Sequence, residues 1–136
     1  MIEMTVTITV MGILLAYGAP MFQKAFEQSR VDLASANLES VWTAERLYWA
    51  QNKTFAGAIV DLETAGLLDP SFLLDLSKPN APFQYAILAA DDVSFQAAAT
   101  RSNSTRWTGR LTINQQGVFT GVVTGSDGSV INPAAV

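Results

Sequence analysis

Between Glu3 and Lys24 the chain carries twenty consecutive residues, Met4 to Gln23, without a formal charge. At a rise of about 1.5 Å per residue, a helix of that length covers roughly the 30 Å hydrocarbon core of a bilayer. The chain has 136 residues, the size of one domain. Apolar residues make up 49% of it and charged residues 15%, slightly rich for a soluble protein, and most of the excess lies in this opening stretch. A membrane-spanning helix at the front is the expectation that follows.

Met1 to about Asn52 reads as one helix whose character changes at Lys24. Beyond that point Val31, Ala34, Leu38, Val41 and Tyr48 recur at intervals of three, four or seven, with Trp42 alongside, and form a stripe that faces a partner. Glu27, Arg30, Asp32, Glu39 and Arg46 are expected largely off it. Asn52-Lys53-Thr54 begins a break, and a short helix is expected from about Ile59 to Ala65, ended by Gly66. Pro70, Pro79 and Pro82 predict an irregular connection.

From Phe83 the period becomes two. Phe83, Tyr85 and Ile87, then Val93, Phe95 and Ala97 across an Asp91-Asp92 turn, predict a strand pair. Leu111 and Ile113 lead through Asn114-Gln115-Gln116-Gly117 to Val118, Val122 and Val123, a second hairpin. The tail from Thr124 to Val136 has little period and is expected to wrap the surface. The predicted class is α+β, a long helix on a small antiparallel sheet. It divides into an apolar helix segment at 1–23, an amphipathic half at 24–52 that packs on the head, and a head at 53–136.

Several functions are excluded by composition. With no cysteine and no histidine, disulfides, thiolate metal sites, Cys nucleophiles and the commonest general base are absent. No catalytic residue, cofactor or metal is expected. The net charge of −4 argues against nonspecific nucleic-acid binding by the whole chain.

Met1-Ile2-Glu3, Gly12-Ile13-Leu14 and Pro20 together resemble the start of the type IV pilins and of the pseudopilins of type II secretion. In that family a mature subunit opens with an aromatic residue and a short run ending in glutamate, followed by an apolar stretch containing glycine and a proline. Glu3, Gly12 and Pro20 fall where the family has them if two mature residues precede Met1. Those two residues and the family's basic leader are absent from this sequence, a departure from the pattern that leaves leader cleavage and N-terminal methylation unsupported. The resemblance is specific over about Met1 to Phe26. It is looser over Val41 to Leu68, where Glu45-Arg46-Leu47-Tyr48-Trp49 and Thr54-Phe55-Ala56 are similar to the family's helix exit, and architectural over the sheet. The family's common C-terminal disulfide loop has no counterpart.

The resemblance implies that Glu3, with Met1 and Ile2 beside it, pairs with the terminal amine of a neighbouring subunit during assembly. Read alone, Glu3 is a helix-start acid favoured by the helix dipole in the headgroup layer. Gly12, Gly18 and Pro20 predict a stretched or kinked segment, because Pro20 leaves the carbonyl of Ala16 without its helical donor. Similar pilins lose helix there inside the filament. Thr5, Thr7 and Thr9 either bond a carbonyl one turn back or bond across helices. Arg101, Arg106, Trp107 and Arg110 form a basic cluster read as a solvated face, a DNA contact, or a contact to the acidic middle of another subunit. Asp91-Asp92 is expected to form a turn. Ser126-Asp127-Gly128 falls short of a calcium loop, although similar pseudopilins carry calcium near the C-terminus. Asn52-Lys53-Thr54 and Asn103-Ser104-Thr105 fit a glycosylation sequon.

The expected function is therefore a structural filament subunit for adhesion, motility or DNA uptake. It would be held in the inner membrane before assembly and exposed at the cell surface afterwards. Its partners would be copies of itself, the membrane and an assembly machinery, with DNA or surface ligands as further candidates. A pseudopilin of a secretion system and a membrane-anchored binding module acting singly are the rival expectations.

Overall fold

A computed structural model of the chain describes residues 1–133. One helix, α1 (Ile2–Asn52), runs without interruption for 51 residues and ends at Lys53, whose N–H bonds to the carbonyl of Trp49 at 2.7 Å. Two short helices follow, α2 (Ile59–Thr64) and α3 (Pro70–Leu76). The strands are β1 (Phe83–Ala90), β2 (Phe95–Arg101), β3 (Trp107–Asn114), β4 (Phe119–Thr120), β5 (Val123–Gly125) and β6 (Val130–Ile131). They form one antiparallel sheet in the order β1-β2-β3-β5-β6, with β4 also paired to β3. The expected layout, a long helix packed on a small antiparallel sheet, is the one observed.

The second half of α1 lies across the sheet. Val31, Ala34, Leu38 and Val41 are wholly buried there, in one cluster with Phe83, Phe95, Ala97, Ala99, Leu111 and Ile113. Alanines on both sides, Ala34 and Ala44 of α1 and Ala97 and Ala99 of β2, let helix and sheet approach closely, while the large residues fill the space around them. Aromatic residues close the far end: the Phe55 ring packs on Phe95 at 4.9 Å, and Trp49 donates from Nε1 to the carbonyl of Asp92 at 2.8 Å.

The turns follow from side-chain chemistry. Asp91 accepts hydrogen bonds from the N–H groups of Val93 and Ser94 at 2.8 and 2.7 Å, which closes the β1–β2 turn. Those bonds hold its carboxyl below the usual range. They also place Val93 in the turn, whereas the alternation had put it in the strand. In the second hairpin Asn114 accepts from the N–H groups of Gln116 and Val118, both at 3.0 Å, and Gly117 takes φ 76°. A Cβ at Gly117 would lie 3.1 Å from the Trp42 ring, whose Nε1 donates to the Gln115 carbonyl at 3.1 Å. Glycine there serves both the turn and the seat of α1. The return strand is split into β4 and β5 by Gly121, at φ 92°, so Val118 and Val122 lie outside it.

Two expectations are corrected. The connection at Pro70 is helical, because Asp69 caps it through the N–H of Ser71 at 2.8 Å and Pro70 occupies the first turn, where its missing N–H costs nothing. The tail is also more ordered than its lack of period suggested. Thr124 and Gly125 belong to β5, and Val130 and Ile131 pair with it as β6, with Ile131 buried in the core. The last part of the predicted wrapping tail, 134–136, lies outside the described residues.

Candidate functional site

The first half of α1 is left largely uncovered by the rest of the described chain. No residue of its most apolar 18-residue window is buried, and Met1, Ile2, Ile8, Leu14, Leu15, Tyr17, Met21, Phe22 and Phe26 are all largely exposed. By length and composition this helix can cross a membrane. Its threonine hydroxyls bond within the helix itself. The hydroxyls of Thr5, Thr7 and Thr9 donate to the carbonyls of Met1, Glu3 and Thr5 at 3.1, 2.8 and 2.7 Å, the one-turn-back bonding that is one of the two readings of the sequence. Glu3 sits exposed in the first turn beside Met1 and Ile2.

Helix persists through Gly12, Gly18 and Pro20 in the isolated chain, so no helix is lost at the segment expected to stretch or kink. Pro20 has no N–H to donate to the Ala16 carbonyl, yet helix continues on either side.

Where α1 leaves its apolar half, ionic contacts fasten it to the head. Glu27, only 1% exposed, receives a two-pronged contact from Arg101, Nε to Oε1 at 2.5 Å and Nη2 to Oε2 at 3.1 Å, and a further bond from Arg30 at 3.2 Å. Arg101 also donates to the carbonyls of Pro82 and Ser102. One helical turn earlier, Gln23 meets Arg106, which pairs in turn with Asp127 at 3.1 Å. The position of α1 relative to the sheet is thus set at its point of emergence by charge-assisted bonds.

These contacts dissolve the basic cluster read from the sequence. Arg101 is buried at 9% exposure and neutralised by Glu27, and Trp107 is buried at 6% within the core. Arg106 is held by Gln23 and Asp127, while Arg110 alone remains on the open strand face, bonded to the Thr100 hydroxyl at 3.2 Å. Alternation along β2 and β3 turns neighbouring residues to opposite faces, so closeness in sequence did not make a patch. These four residues therefore do not share one solvated face.

Asp127 is committed as well. Ser129 donates to it from its hydroxyl at 2.6 Å and its N–H at 3.0 Å, and with Arg106 nearby its carboxyl is lowered to about 2. Among the described residues no group of three or more acidic side chains is gathered that could hold a metal ion.

Two buried acids went unnoticed or misplaced in the sequence. Glu27 was expected off the apolar stripe, and Glu45 was noted only for its resemblance. Yet 27, 31, 34, 38, 41 and 45 continue a spacing of four and three, and all six are buried. That spacing was the available signal. Glu45 is fully buried, accepts the N–H of Ala56 on Oε2 at 2.8 Å, and leaves Oε1 without a partner.

No protein-family model and no curated protein matches the chain.

Proposed function

We propose that this chain is a structural subunit of the type IV pilin kind, stored in a membrane by its apolar half-helix and then polymerised through it. The observation that carries the reading is the contrast within α1: a half anchored to the head by Glu27 and Arg101, and a half in which no residue is buried. Each large apolar side chain moved out of water is worth about 1.5–3 kcal/mol, so the exposed half must be covered. Lipid already supplies that cover. Leaving lipid for a filament must therefore be driven by close helix packing and by answering polar groups, which hydrocarbon does not provide. Gly12 and Gly18 allow close approach, and the Ala16 carbonyl freed by Pro20 is a point where helix can open as neighbours pack in.

Glu3 supplies the polar term. A carboxylate at the edge of an apolar segment is costly unless a positive group meets it, and the terminal amine of an adjacent copy is the partner that the family resemblance implies. Replacing Glu3 with Ala tests this. The chain should enter the membrane as before and yield no fibres in cells that assemble the wild type. Fibres at the wild-type yield from Glu3→Ala would refute the role of Glu3, and a wild-type chain that works as a solitary membrane-held head would refute polymerisation itself.

A further inference from the structure

The loop at 53–58, between α1 and α2, is held to the rest of the head by two backbone hydrogen bonds and by the packing of Phe55 and Ala56 in the core. Phe55 donates its N–H to the Asp91 carbonyl at 3.1 Å and packs its ring on Phe95, and Ala56 donates to Glu45 Oε2 at 2.8 Å. Glu45 meets this loop from the buried face of α1 with its other oxygen walled off from any partner. A buried carboxyl that makes a single hydrogen bond is tolerable when neutral and costly when charged.

Beyond the Ala56 N–H, no group among the described residues acts to offset a charge on it. In α2 the group acting on it is Asp61, of like sign. Lys53, in the loop, has its ammonium over the Trp49 ring at 4.8 Å, and Arg46, next along α1, lies over Trp42 at 4.8 Å. The sheet's buried residues beneath α1, Phe83, Phe95, Ala97, Ala99, Leu111 and Ile113, carry no charge, and Arg101 is taken up by Glu27.

We propose that Glu45 is a proton-operated latch: neutral, it closes the 53–58 loop onto α1, and its ionisation shifts that loop toward a solvated, open state. Burial first, and Asp61 in addition, push its carboxyl up to about 7 against the opposing effect of the Ala56 bond, so the change falls near neutrality. In an open loop Glu45 meets water and recovers an ordinary carboxylate value. The closed form then holds its proton where the open form has lost it, and the ratio of open to closed rises with pH from about 4.5 to 7, by about 300-fold in total.

The test is hydrogen exchange at the Ala56 amide of the full-length chain in detergent micelles, corrected for intrinsic rates, between pH 5 and pH 8. The wild type should lose protection by about 70-fold across that range, while Glu45→Gln, which keeps an acceptor for Ala56 and cannot ionise, should show a flat profile. Equal pH dependence in both proteins would overturn the latch. If Glu45→Gln does not fold, the Glu45 side-chain carboxyl resonance of the wild type decides: a midpoint near 7 that Asp61→Asn moves downward supports the latch, and a midpoint near 4.5 overturns it.

Discussion

Glu27 and Arg101 meet across 74 residues of sequence, and both are buried where they touch. Removing one partner strands the other's charge away from water. Arg101→Ala should therefore cost about 3–5 kcal/mol of stability, whereas Glu27→Leu combined with Arg101→Met should recover most of that loss, as measured by denaturant unfolding of both variants. Asp127 behaves differently because it is exposed. Its folded carboxyl lies near 2, below the ordinary value, so its contribution is present above about pH 4 and is lost as pH falls toward 2. Asp127→Asn should flatten the acid limb of a stability-versus-pH profile over that window and leave the neutral region unchanged. At this scale the sequence was half legible. The four-and-three spacing pointed inward at 27 and 45, but the partner Arg101 could not be found, since the pairing depends on how β2 is set against α1.

Among the elements, those long enough to repeat a period were legible. The stripe of α1, the alternation of β1 and the Asn114–Gly117 turn all follow from residue chemistry that recurs or is locally complete. The seven-residue α3 and the two-residue β6 are too short to show a period, and they form because the head offers a cap at Asp69 and an edge at β5. The meeting of α1 with β2 depends on small residues, which a reading of apolar pattern does not distinguish from large ones. Ala99 is fully buried opposite Leu111 of β3. Ala99→Leu should push α1 off the sheet and destabilise the head by about 1–3 kcal/mol, visible as a lowered Tm, although the substitution raises hydrophobicity.

For the molecule as a whole, the head has a core, turns and an ionic anchor of its own, while the first half of α1 has none of these. The front of the candidate site was the most legible part of the sequence, because twenty uncharged residues state their need for cover without any fold to interpret. The basic cluster was the least legible, because strand alternation and burial decide which arginines reach solvent. What covers the front is the central claim, and high-resolution electron microscopy of the native assembly tests it most directly. The expected image is a thin fibre with α1 segments of many copies packed along its axis, Glu3 of each within reach of a neighbour's terminus, and heads outermost. A particle holding a single copy, its first 23 residues surrounded only by lipid or detergent, would contradict it.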